Sequence, residues 1–148
     1  MRANRTRELP SMEIMNAIYQ KDAAPIANRL SSHYATIFYE RSDDVNQYAN
    51  AVLSHYKQYP SNNAMELNSV AWGFYERVED RNQLRAAINW AEKSVKLDKQ
   101  YMNLDTLAWL YKKAGMDKEA VKFAKQAIEM AKASGEDYSS TEEILNEE

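Results

Sequence analysis

Apolar positions recur every three or four residues along nearly the whole chain, the period of one face of an α-helix and not the alternation of a half-buried strand. The clearest stripes are Val45, Tyr48, Ala49, Val52, Leu53, Tyr56 and Tyr59; Leu67, Val70, Ala71, Phe74 and Val78; and Leu84, Ala87, Ile88, Ala91 and Val95. Two more follow: Leu104, Leu107, Ala108 and Tyr111, then Ala120, Val121, Ala124, Ala127, Ile128 and Ala131. Upstream, Ile26, Leu30, Tyr34 and Ile37 share a face up to about Arg41, after a shorter helix over 11–21. Punctuation falls between the stripes. Pro25 suits a first helical position; Ser42 can cap the helix that ends before Pro60, and Asn63 with Glu66 opens the next. Gly115 and Gly135 supply left-handed stops, Asp117 can cap the helix between them, and Ser140 with Glu143 opens a last one carrying Ile144 and Leu145.

This predicts about eight helices on short connections, which lie antiparallel as hairpins. No low-complexity linker divides the chain, so a single domain over 1–148 is expected. Within it, 11–60 holds the N-terminal helices and a degenerate repeat, 64–134 two clear repeats, and 138–148 a C-terminal capping helix.

The repeat is visible residue by residue. Ala71 and Trp72 return as Ala108 and Trp109, 37 positions on, and Leu67, Val70, Ala71 and Phe74 match Leu104, Leu107, Ala108 and Tyr111 at the same shift. On the following helices Ala87, Ala91 and Ser94 match Ala120, Ala124 and Ala127 at a shift of 33, the difference falling in the turn. Two helix hairpins of one design stand in tandem.

On these residues, 64–134 resembles two tetratricopeptide repeats. Leu104, Leu107, Ala108 and Tyr111, followed by Gly115, fit the family's first helix, and Leu67, Val70, Ala71 and Phe74 fit it again. Ala120 and Ala127, like Ala87 and Ser94, fit the small positions of its second helix. Two features depart. The aromatics Trp90 and Phe123 come one residue before the family's usual place, where Ala91 and Ala124 stand, and Asp98 and Lys99 replace the usual proline between repeats. The resemblance implies an all-α fold, a right-handed TPR-like α-solenoid of antiparallel hairpins, with a concave face that binds protein. The sequence is also similar to the helical region that follows a thioredoxin-like domain in some bacterial proteins. With no Cys-X-X-Cys, that redox activity does not carry over.

Composition narrows the function classes. The chain has 148 residues, a net charge of −3 and no cysteine, hence no disulfide, thiolate nucleophile or cysteine metal site. Residues 1–8 carry a balance of +2 and residues 136–148 six acids without a base, which leaves the 127 residues between them at +1. A nearly neutral body argues against nucleic acid as partner. No apolar run approaches the ~18 residues of a membrane span. The basic start is followed by no apolar stretch, so no secretory signal is expected. The cytoplasm is the default compartment, and the periplasm stays open if the chain is a piece of an exported protein.

Aligned on the repeat, the residues beside the core stripe are Met65, Asn68, Trp72 and Tyr75 in one hairpin and Met102, Asp105, Trp109 and Lys112 in the next. Each set lies on one helix face. Aromatic and Met side chains with a few polar groups suit capture of a peptide or helix of a partner protein. The other reading has Trp72 and Trp109 packing between neighbouring helices. Some tetratricopeptide proteins grip a C-terminal carboxylate with cationic side chains; the matching positions here are Asn68, Trp72, Asp105 and Thr106, an acid where a cation is needed. His33 and His55 belong to no metal-binding spacing, no phosphate loop occurs, and no nucleophile–base set is apparent, so neither cofactor, metal nor catalysis is expected. The expected function is a protein–protein interaction module. The alternative is a structural region that docks on a neighbouring domain or self-associates as a homo-oligomer.

Overall fold

A computed structural model describes residues 9–146. The basic residues 1–8 and the last two acids of the tail lie outside the described residues. Among the described residues the chain is all-helical, without a strand: α1 Met12–Asp22, α2 Ala27–Glu40, α3 Val45–Gln58, α4 Ala64–Arg77, α5 Arg81–Leu97, α6 Tyr101–Lys113, α7 Asp117–Ser134 and α8 Ser139–Asn146. A 3-10 turn, Ala24–Ile26, precedes α2. The helices pack as two compact units, Met1–Pro60 and Ser61–Glu148. The division falls where Pro60 follows α3, a point that composition does not mark as a linker.

In the first unit, Ser11 caps α1 by accepting from the Ile14 N–H at 3.2 Å. Pro25 sits in the 3-10 turn and not at the start of α2, which opens on Ile26 without a side-chain cap. Asp44, not Ser42, caps α3, accepting from the Gln47 N–H at 3.1 Å. A carboxylate complements the positive helix end better than a hydroxyl. Ser42 instead donates to the Tyr39 carbonyl at 2.7 Å, at the end of α2. The core is small: Ala27, Tyr34, Tyr48, Ala49, Val52 and His55. Tyr19 meets Tyr34 edge-on at 6.4 Å, and the Tyr34 hydroxyl donates to the Pro10 carbonyl. Val45, in the apolar stripe by spacing, is exposed in the first turn of α3.

The second unit carries the tandem design. Leu67, Ala71, Phe74 and Val78 on one hairpin, and Leu104, Leu107, Ala108 and Tyr111 on the next, are buried, as are Leu84, Ala87, Ile88, Ala91, Ala120, Ala124, Ala127, Ile128 and Ala131 on their partner helices. Alanines without measurable exposure at the crossings let helix axes approach closely, because nothing bulkier separates the backbones. The two early aromatics have equivalent jobs. Trp90 packs edge-on against Phe74 at 4.9 Å, and Phe123 stacks on Tyr111 at 5.5 Å with planes 6° apart. Each repeat thus closes its hairpin with one aromatic from each helix.

The corner that lacks proline is built from hydrogen bonds. Asn103, only 4% exposed, donates to Ser94 Oγ at 3.1 Å and to the Asp98 carbonyl at 2.7 Å, and accepts from the Gln100 N–H at 2.9 Å. Ser94 Oγ in turn donates to the Ala64 carbonyl at 2.7 Å. One satisfied network therefore ties the start of α4, the end of α5 and the start of α6. Gly115 and Gly135 take φ of 79° and 76°, the left-handed stops expected of them. Asp117 is the first residue of α7 and not its cap; that position is Met116, which makes no side-chain bond. At the last helix Asp137 accepts from the Ser139 N–H at 2.9 Å, so α8 opens one residue before Ser140.

Helix α6 packs on both helices of the preceding hairpin, α4 and α5, and α8 packs on α6 and α7 in the same manner. Thr141 and Ile144 of α8 are fully buried.

Candidate functional site

Tyr75 is the centre of an aromatic strip on α4 and α6. Its ring stacks on Trp72 at 4.6 Å with planes 25° apart, and lies 6.0 Å from Trp109. Trp72 and Tyr75 meet because three residues along a helix return to the same face. All three rings are partly buried: none is core, none is fully exposed. Beside them is an open hollow of about 410 Å³ lined by Tyr75, Glu76, Trp109, Lys112 and Lys113.

The rim is charged on both sides of neutrality. Lys112 pairs with Asp117 at 3.4 Å. Lys113 donates to the Tyr75 carbonyl at 2.6 Å, pairs with Glu79 at 2.8 Å and places its ammonium 5.5 Å from the Tyr75 ring centre. That carbonyl belongs to the last turn of α4, where backbone acceptors lack helix partners and a cation is favoured. Lys113 thereby fixes the backbone under Tyr75. Its pair with the exposed Glu79 is screened by water and adds little.

Of the eight residues anticipated from sequence, Tyr75, Trp109 and Lys112 line the hollow and Trp72 stacks on its wall. Met65 and Met102 are 78% and 61% exposed on the same helices. Asp105 is engaged elsewhere. Thr141 Oγ1 donates to its Oδ1 at 2.7 Å, and the Trp109 side chain bonds it as well. Since the single Thr141 proton goes to Asp105, the Tyr101 hydroxyl, 2.7 Å from Thr141, is the donor of that pair. Asp105 therefore joins α6 to α8. Glu76 and Lys113 were not anticipated; their one sequence signal is a place in the last turn of a helix, shared by many charged residues.

Burial raises the Asp105 pKa above its ordinary 3.8, against the lowering effect of the Thr141 and Trp109 hydrogen bonds. The folded chain thus holds this proton more tightly than the unfolded chain. The resulting stability is complete below 3.8 and is lost as pH rises through the folded-state value. Comparing thermal melts of the parent and Asp105→Asn between about pH 7 and about pH 4 should show the difference moving in the parent's favour on acidification. A constant difference would mean that Asp105 ionises as freely folded as unfolded.

Asn68, the counterpart of Asp105 one repeat earlier, has a buried Oδ1 with no hydrogen-bond partner. An orphaned acceptor costs about 1–3 kcal/mol. Asn68→Leu should therefore raise the melting temperature, by about 4–8 °C for each kcal/mol recovered in a unit of this size. A variant no more stable than the parent would show the oxygen to be satisfied in solution.

No protein-family model, curated protein or solved structure matches the chain.

Proposed function

We propose that residues 64–134 form two tetratricopeptide-like repeats of a right-handed α-solenoid, with α8 standing as the first helix of a further, incomplete unit. The paired aromatics of each hairpin support this, as does the shared way in which α6 and α8 pack on the hairpin before them. On this reading α4 and α6 present the inner, concave face, and the chain is a binding module for an extended peptide or helix of a partner protein.

One observation carries the functional reading: the row Trp72, Tyr75, Trp109 is left partly open beside a hollow with a mixed-charge rim. Aromatic rings supply large contact area at small entropic cost and dominate interface energetics. Glu76 against Lys112 and Lys113 gives little preference for a strongly charged ligand. Selection from a displayed library of random peptides tests the reading. Enriched peptides should carry apolar side chains, quench tryptophan fluorescence and lose affinity for the Trp72→Ala and Trp109→Ala chains. Peptides that bind both variants as well as the parent would place the site elsewhere.

The second reading, docking on a neighbouring domain or a second copy, has its own support in the first unit. Helix α1 buries none of its residues, and Ile14 and Ile18, one turn apart, are 55% and 43% exposed. Growth of the solution mass with concentration separates this reading from the first.

A further inference from the structure

A second open hollow, of about 440 Å³, lies among α5, α6 and α7 and shares no lining residue with the one beside Trp109. Glu92, Val95 and Lys96 reach it from one side of α5, being three and four residues apart. Lys99 joins them from just beyond the helix end, Leu107 from α6 and Phe123 from α7. Leu107 is buried, Val95 and Phe123 are half-buried, and both lysines are exposed. The floor is therefore apolar and the mouth cationic. A third cation, Lys122, holds its ammonium 5.3 Å from the Phe123 ring centre.

The acids nearby are accounted for. Among the described residues of the lining, Glu92 is the one acid, and its Oε1 accepts from the Tyr111 hydroxyl. Burial, and then the bond to Glu92, raise the Tyr111 pKa, so this phenol stays a neutral donor. Asp98, between the two lysines in sequence, accepts from the Gln100 side chain at 3.0 Å. The basic surplus runs along the helix: α5 carries Arg81, Arg85, Lys93 and Lys96 against Glu92 alone, a balance of +3. A lysine in the last turn also offsets the negative end of its own helix, so the charge by itself assigns nothing. Lysine ends above an apolar floor are more specific, because they suit a ligand charged at one end only.

We propose that this hollow binds a small organic anion with an apolar body, of the aryl or fatty carboxylate class. Its volume stands at the small end of ligand pockets, ~300–1,000 Å³, which is room for one or two rings or a short alkyl chain. The body lies against Val95, Leu107 and Phe123. The lysine stems extend that apolar wall while their ammonium groups stay in water, where they meet the carboxylate. Glu92 opposes the bound charge from the α5 side and limits affinity.

Anilinonaphthalenesulfonate, two aromatic groups with one permanent negative charge, is a direct probe; phenylnaphthylamine is the same body without the charge. Titrating the full chain with each, by fluorescence and by NMR of side-chain methyls, tests the site. One sulfonate per chain is expected, with a dissociation constant on the order of tens of micromolar, the usual efficiency for a ligand of that size. The methyl signals of Val95 and Leu107 should shift, dodecanoate should displace the probe, and the neutral analogue should bind about tenfold more weakly. Lys96→Gln and Lys99→Gln should each weaken binding by about two- to fivefold, as exposed charge pairs do, and leave the melt unchanged. Glu92→Gln keeps an acceptor for Tyr111 and should tighten binding, an effect that a purely structural role does not produce. No binding up to millimolar probe would overturn the proposal. So would equal affinity for the neutral analogue, no displacement by dodecanoate, indifference to the double lysine variant, or shifts confined to Ile14 and Ile18 or to Trp72 and Trp109.

Discussion

Ile144→Ala is expected to lower the melting temperature of the chain by about 10 °C or more, and removal of residues 136–148 to lower it further. Ile144 has no exposed surface, and α8 packs on both α6 and α7. Truncating a fully buried Ile costs about 2–5 kcal/mol, since the apolar transfer term is lost and a cavity remains. Each kcal/mol is worth about 4–8 °C in a unit of this size. Deletion of the segment does more. It uncovers the apolar surface of α6 and α7 and leaves Asp105 without the Thr141 hydroxyl. Burial already raises the Asp105 pKa, so its carboxylate depends on the donors around it. Aggregation of the truncated chain on heating should accompany the lower melt. A truncated chain that melts with the parent would show that α8 is an appendage and not a cap. Thr141→Val separates the two contributions: it keeps the side-chain shape and removes only the hydrogen bonds to Tyr101 and Asp105.

The elements were legible from the sequence for a physical reason: a helix that buries one face must repeat its apolar residues near 3.6, and the alanine and leucine stripes from Leu67 to Ala131 do so without interruption. The left-handed stops were legible because glycine alone adopts positive φ cheaply. Caps were less so. Ser42 and Asp44, or Asp137 and Ser140, are competing polar residues in one short run, and spacing does not rank them. Tertiary partnerships were the least visible. Asp105 lies beside the core stripe and reads as a residue of the binding face, yet its partner Thr141 is 36 positions away. Lys113 reaches a carbonyl 38 positions back. His33 and His55 fit no local spacing, yet α2 and α3 bring their rings to 5.3 Å between centres. The division at Pro60 was not legible as such, since Pro60 ends a helix in the same way as the punctuation between other stripes and no low-complexity linker follows it.

Trp72→Ala and Trp109→Ala should fold, and should each weaken binding of a library-selected peptide by about thirtyfold. The magnitude follows from the ~2 kcal/mol or more that an aromatic anchor contributes, at 1.4 kcal/mol for each factor of ten. Their stability costs should differ. A core tryptophan loses about 3–5 kcal/mol on truncation, but both of these rings keep solvent on one side, so each should fall below that range. Trp109 should cost more than Trp72, because it also bonds Asp105 and removing it leaves a partly buried carboxylate with one donor fewer. Trp72 mainly stacks on Tyr75, which retains the Trp109 ring and the Lys113 ammonium as neighbours. The double variant should bind more weakly than either single variant, though by less than the product of the two losses, since both rings act through Tyr75 and neighbouring sites are not additive. Melts and affinities measured on the same four chains decide between the readings. If both single variants melt as far below the parent as a truncated core residue would, the strip is packing and the interface lies elsewhere. If both fold and bind as tightly as the parent, the rings are bystanders. Only a binding loss that exceeds the stability loss identifies Trp72, Tyr75 and Trp109 as a surface that holds another chain.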